Sequence, residues 1–300
     1  MTIALTLLLF GFQVPDDKHM APELAILELR LEVSTPRTVL DPADLLPLNI
    51  RWINGSKIPL KLQWPFFKVF MQEPGGGVYQ TRSCERETVC CVRPAFDLAP
   101  GEFFELAQFW SPGFLSRREP AADVFRRPAK GRWKVWIEYE HRYGVYKSDA
   151  LEFRIEDDPA RTPEERQAFG SEAWHRFALG GGAGDADFLT FRKIALSRSE
   201  SPQKDIMAYM VGHYDLSRSR PGHATTLLRI AGAAKTRNVN RWLLSSALVQ
   251  CYWELGNYDE ALTVTDQNRP DPADIARKQW DGMRAGILRA KQTEELFRRR

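Results

Sequence analysis

Residues 132–140 read RWKVWIEYE, from Arg132 to Glu140, and this stretch decides how the first half of the chain is read. Trp133, Val135, Ile137 and Tyr139 alternate with Arg132, Lys134, Glu138 and Glu140. Successive side chains of a strand point to opposite faces, so the pattern predicts a strand with one buried face. Trp136 interrupts the polar set on the other face, where it would cover an exposed sheet or a neighbouring domain. The same period extends outward on both sides. Leu27, Leu29, Leu31 and Val33 alternate with Glu28, Arg30 and Glu32. Leu48, Ile50 and Trp52 alternate with Asn49 and Arg51 and stop at the turn signal Asn54-Gly55-Ser56. Leu60 to Trp64 and Phe66 to Met71 flank Pro65, which marks a bend or an edge. Phe103 to Phe109 follows a turn at Asp97 to Glu102, and Leu151, Phe153 and Ile155 close the series. Roughly seven to nine short strands with regular turns predict a β-sandwich over residues 21–157.

After Asp157 the period moves from two toward 3.6. Thr162-Pro163-Glu164-Glu165 is a helix start, with a capping Thr, Pro in the first turn and acids near the positive end of the helix dipole. Helices are predicted over Pro163 to Leu179, Pro202 to Ser217, Pro221 to Lys235 and Asn240 to Glu254. Another begins at Asn257, and a last one runs from Ala273 to about Phe297. The glycines from Gly180 to Gly184 have no Gly-Lys-Ser/Thr after them, so a phosphate loop fails on context and a helix stop remains. Residues 158–300 thus form a helical domain. Tyr214 and Tyr252 sit in similar segments at a spacing within the roughly 34–45 residues of helix-pair repeats.

Two resemblances follow from these residues. The strand ending in Asn54 and Ser56, the DLAPGE turn at Asp97 to Glu102 and the GRWKVWIEYE strand resemble bacterial immunoglobulin-like domains, including the BsuPI-type proteinase-inhibitor group. In the second half, Leu248, Tyr252, Gly256, Tyr258 and Ala261 resemble the large and small packing positions of a tetratricopeptide repeat. Val249, Thr265 and Asn268 depart from that pattern. The first resemblance implies an immunoglobulin-like β-sandwich, and the second a tetratricopeptide-like α-hairpin solenoid. A concave surface would then be lined by Gln250, Trp253 and Glu254, with Asp215 as the equivalent in the preceding unit. Leu248 and Tyr252 would face the core, and the alternative for Trp253 is packing against a neighbouring repeat or the β region.

Chemistry-bearing patterns are sparse. The five His form no zinc-ligand spacing, and no Gly-x-Ser-x-Gly elbow occurs. His141 lies between Glu140 and Tyr143, readable as an acid–base cluster or as a surface His at a turn. Cys84, Cys90 and Cys91 cluster. Cys84 paired with Cys90 or Cys91 would staple a hairpin in an oxidising compartment, and buried thiols are the alternative. Cys251 is expected in a helical core. The stretch Ser111 to Lys130 reads as a long surface loop, with Arg117-Arg118 and Arg126-Arg127 as an anion patch or as solvated charge.

The apolar run from Ile3 to Phe12 is half of the ~20 residues that cross a bilayer, and fits the core of a secretory leader in residues 1–20. It lacks a basic start, so an N-terminal strand or helix is the alternative. The net charge of +3 offers no electrostatic case for nucleic acid. The expectation is a non-catalytic, secreted or periplasmic protein of the bacterial cell envelope, without cofactor, metal or membrane span. It would bind a protein or peptide through its helical surface. A proteinase inhibitor acting through a β-sandwich loop and a hydrolase are the alternatives, and a cytoplasmic location is the alternative compartment.

Overall fold

A computed structural model describes residues 28–62, 67–81, 96–113, 115–116, 125–141, 144–179, 182–197, 201, 203–234 and 238–298. The expected leader and the Cys84, Cys90 and Cys91 cluster lie outside the described residues. A β-rich first half is followed by an all-helical second half, as the periodicity predicts, with eight helices among the described residues.

The strands are β1 (Leu29–Ser34), β2 (Val39–Leu40), β3 (Leu46–Asn54), β4 (Leu60–Leu62), β5 (Phe67–Gln72), β6 (Val78–Thr81), β7 (Phe96–Leu98), β8 (Phe103–Trp110), β9 (Leu115–Ser116), β10 (Gly131–His141), β11 (Gly144–Lys147) and β12 (Leu151–Ile155). One sheet has the order β1-β3-β8, and a second runs β2-β12-β10-β5-β6-β9 with β11 added to β10. A short pair, β4-β7, stands apart from both. Among the described strands the pairings are antiparallel except β2 with β12.

The inner faces of the two larger sheets meet in one apolar cluster. It holds Leu31, Ile50 and Trp52 from the first sheet and Val69, Met71, Trp133, Val135, Ile137 and Tyr139 from the second. Trp52 sits among Phe67, Phe104 and Tyr139, with ring centroids 5.5, 5.7 and 6.3 Å away. Trp136 is on the outer face as read, stacked on its cross-strand partner Phe70 at 5.6 Å, with the Lys147 ammonium 4.8 Å over its ring.

The turn motifs do specific work. Asn54 Nδ2 donates to the carbonyls of Ile58 and Leu98, while its Oδ1 accepts from the Ser56 amide. In the DLAPGE turn, Gly101 takes φ +79°, the left-handed region where only glycine is unstrained, and its amide donates to Asn54 O.

The helices are α1 (Pro163–Phe169), α2 (Glu172–Ala178), α3 (Asp185–Leu196), α4 (Lys204–Ser217), α5 (Pro221–Ala233), α6 (Arg241–Glu254), α7 (Tyr258–Gln267) and α8 (Ala276–Arg298). From α3 onward each packs on the next. The single helix expected over Pro163 to Leu179 is two, because Gly170 ends the first and the Ser171 hydroxyl caps the second by accepting from the Trp174 amide. The unassigned segment after the glycines is helical, as α3. Gly256 turns the chain at φ +74°, and fully buried Ala261 lets α6 and α7 approach closely. Trp280 of α8 packs with Val249, Tyr252 and Ala261 and donates its indole N–H to Thr265 O at 2.8 Å.

Helix α1 opens with a full capping box: Thr162 Oγ1 accepts from the Glu165 amide, and the Glu165 carboxylate accepts from the Thr162 amide. Thr162→Ala is expected to cost about 1 kcal/mol, read as a lower urea midpoint with an unchanged slope. An unchanged midpoint would show that the adjoining ion cluster alone holds this start.

The change from strand to helix falls between Ile155 and Pro163. Several contacts among the described residues tie the halves together across it. Arg161 is fully buried, its guanidinium between Asp41 and Asp44 and 4.9 Å over the Phe169 ring, while Arg37 reaches Asp44 from outside at 3.0 Å. Burial pushes the Asp44 carboxyl up, and Arg161 and Arg37 pull against it. The backbone of Leu45 exchanges two hydrogen bonds with the Gln203 side chain, both 3.2 Å. Ser111 Oγ lies 2.7 Å from His175 Nδ1. Ala43, Leu45 and Phe109 belong to the helical core, so the two halves share apolar packing.

Candidate functional site

A cavity of about 250 Å³ opens where α6, α7 and the start of α8 meet β3 and β8. Strand register builds its floor. Arg51 and Glu105 are directly opposed across β3 and β8, on the face away from the Trp52 core, and form an ion pair. The Arg51 guanidinium also lies 4.9 Å over the Phe103 ring, and the Glu105 carboxylate holds Arg51 above its ordinary value. The segment before α8 adds to the β8 edge: Phe103 N donates to Ala273 O at 3.0 Å, and Ile275 N to Phe103 O at 3.1 Å. Asp274 is thereby drawn into the wall.

The helical wall comes from the start of α6 and the end of α7. Asn240 caps α6 by accepting from the Trp242 amide, and its Nδ2 donates to Asn49 and Glu105, both at 3.1 Å. Arg241 donates from Nε to Asn268 Oδ1 and from Nη2 to Gln267 O. Arg269 is held bidentately by Asp281, both bonds 2.9 Å. Asp271 and Asp274 each accept a backbone N–H through Oδ1, from Ala273 and Ala276. Burial pushes the Asp274 carboxyl up to about 6; the Ala276 amide and Arg51 oppose the rise, while Glu105 and Asp271 add to it. Trp242 also lines the cavity, and among the described residues its Nε1 makes no hydrogen bond.

The residues expected to bind fall elsewhere. Gln250 and Glu254 are exposed at the far end of α6, joined by a 2.9 Å hydrogen bond. Trp253 beside them is 37% exposed, and its ring lies against α8 so closely that a Cβ at Gly286 would come within 3.0 Å of it. Trp253 is thus partly a packing residue. Asp215 is corrected: it is fully buried, with Arg192 and Arg220 at 3.7 and 3.9 Å, because α4 is covered on both sides by α3 and α5. Three of the four residues therefore meet, and the fourth does not. At 1.5 Å rise per residue, the length of α6 puts them roughly 20 Å from the cavity.

The other expected chemistry resolves into structure. His141 Nε2 contacts Lys61 O at 3.2 Å, while Glu140 pairs with Lys68. Arg126 reaches Glu73 at 3.0 Å and covers the Tyr79 ring, and Arg127 lies 3.8 Å from Asp157. Ser111, Pro112 and Gly113 are buried, so the loop read there begins inside the protein. Cys251 is buried and free, and burial pushes its thiol up to about 11. Among the described residues there is no group of three His, Cys, Asp or Glu that could hold a metal, and no helix long and apolar enough to cross a membrane.

Sequence reading missed Arg51, Glu105, Asn240, Arg241 and Asp274. The faint signals were Arg51 between two buried residues of a strand and Asn240 as a cap. Neither says that both would line one cavity.

No protein-family model matches the chain. No curated protein matches it either. Among solved structures, β-glucosidase from Listeria innocua in complex with isofagomine is similar at 17% identity and a TM-score of 0.26, over 43% of this chain and 16% of that one. Alkylpurine DNA glycosylase AlkC of Pseudomonas fluorescens, bound to DNA containing an abasic site analog, has 14% identity and a TM-score of 0.26, over 43% and 31%. The C-terminal domain of wzt has 7% identity and a TM-score of 0.26, over 43% and 71%. The chain spans about one-sixth of the length of the first of these. Likenesses at such scores carry no argument about this protein.

Proposed function

We propose that this chain is a non-catalytic binding protein that captures a peptide or protein partner, exported to the bacterial cell envelope. In this reading the β half is an immunoglobulin-like sandwich and the helical half a tetratricopeptide-like solenoid. The single observation that carries it is the cavity between the halves. Its walls come from β3, β8, α6, α7 and the loop before α8, and they combine two aromatic rings with charged and amide side chains. A few placed polar groups beside aromatic surface are what an orienting binding site needs. The shared packing and the buried Arg161 cluster favour walls that hold their spacing, which lowers the ordering cost of binding.

The test is selection of a random peptide library on the immobilised full-length chain. Peptides are expected to be recovered whose affinity falls tenfold or more in Arg241→Gln. Gln250→Ala with Trp253→Ala, at the other end of α6, is expected to weaken them less. Recovery of no peptide, or affinities indifferent to both variants, would overturn the reading.

A further inference from the structure

The charged groups of the cavity are not all satisfied by one another. Arg51 and Glu105 form an ion pair, and Arg269 is committed to Asp281. Arg241 is different. Two of its nitrogens are held by an amide and a carbonyl, and among the described residues no carboxylate lies within ion-pair distance of it. Its Nη1 makes no hydrogen bond there. It stands at the start of a fourteen-residue helix, the end that attracts anions. Asp271 and Asp274 are the converse. Each uses Oδ1 on a backbone amide, each Oδ2 makes no hydrogen bond, and neither has a cation within ion-pair distance among the described residues. The same cavity thus offers an anion site and a cation site, contributed by different segments.

We propose that the cavity recognises a small zwitterion, a free amino acid or a short unblocked peptide, by pairing its carboxylate with Arg241 and its ammonium with Asp271 and Asp274. This rests on the binding function proposed above and names its ligand class. Size agrees: sites for drug-sized ligands run to about 300–1,000 Å³, and this one, at about 250 Å³, suits one or two residues. The raised Asp274 carboxyl agrees as well, since a carboxyl held up by burial beside Glu105 and Asp271, with Arg51 as its opposing charge, gains most from an added cation.

The experiment is titration calorimetry on the full-length chain with alanyl-alanine, its N-acetyl form, its C-terminal amide and free alanine. Alanyl-alanine or alanine is expected to bind, the tighter of the two identifying the source. Each blocked end is expected to weaken binding tenfold or more. In Arg241→Gln the amide should bind as well as the acid, and in Asp274→Asn the acetylated form as well as the free amine. Affinity of the unblocked ligand should fall as pH drops through about 6 and Asp274 loses its charge. Asp274→Asn should also raise the unliganded melting temperature at neutral pH, which shows that the variant is folded. Library peptides that bind equally with blocked and free ends would overturn this inference and leave the binding function standing. Failure of every probe and of the library together would overturn both.

Discussion

Arg161→Ala is expected to cost about 3–5 kcal/mol of folding stability, the largest effect of any single substitution at the seam. The arginine side chain is wholly buried, and the Asp41 and Asp44 carboxylates around it are almost as deep. Removing it leaves two buried carboxylates with only the partly buried Arg37 to balance them. Desolvation of an unpaired charge is what makes such a change severe, more than the attraction lost. The companion variant separates these causes. Arg161→Met with Asp41→Asn and Asp44→Asn removes these three charges while keeping a side-chain acceptor for the Asp41 amide and for one of the Ala43 and Asp158 amides. It is expected to recover more than half of the loss. Urea unfolding of the three proteins at neutral pH measures this. A loss under about 1 kcal/mol for Arg161→Ala would mean that water reaches the cluster.

Acidification from pH 6.5 to 4 is expected to remove about 3 kcal/mol through His175 alone. Burial pushes this imidazole down from 6.5 to about 4. The unfolded chain therefore takes up a proton below pH 6.5, while the folded protein does so only near pH 4. The stabilisation is fully present above pH 6.5 and is lost as pH falls toward 4. Asp274, held up to about 6, acts in the opposite sense, because its folded form binds the proton more readily than the unfolded chain. Its effect is smaller, since Asp274 is only half-buried. His175→Gln keeps a hydrogen-bonding group opposite Ser111 and does not titrate. The difference in stability between wild type and this variant should shrink by about 3 kcal/mol across the window, and other titrating groups cancel from it. A pH-independent difference would refute the assignment to His175.

Much of the local structure was legible. The alternation of Trp133, Val135, Ile137 and Tyr139 against charged residues predicted both the strand and its buried face, and all four are in the core. Thr162 to Glu165 predicted a helix start, and the capping box is there. Where prediction slipped, a local signal was outweighed. The amphipathic pattern through Gly170 and Ser171 hid a stop and a cap. Asp215 was read from one repeat unit, yet its burial depends on helices on both sides of α4. The candidate site was less legible than the fold. Gln250, Trp253 and Glu254 do cluster, but the cavity assembles Arg51, Glu105, Arg241 and Asp274 from four separate segments.

Local pattern alone was enough for most strands and helices, for the apolar face of the clearest of them, and for the place where strands give way to helices. These follow from periodicity and end-capping, which act between residues a few positions apart. What each face meets depends on packing between residues far apart in the chain. Arg161 finds Asp41 across 120 positions, and Asn240 finds Glu105 across 135. A pattern of periods two and 3.6 records that a side chain is buried but carries no label for its partner. The partners of the buried ions, and the charges left unmatched around the cavity, are set by how the two halves dock.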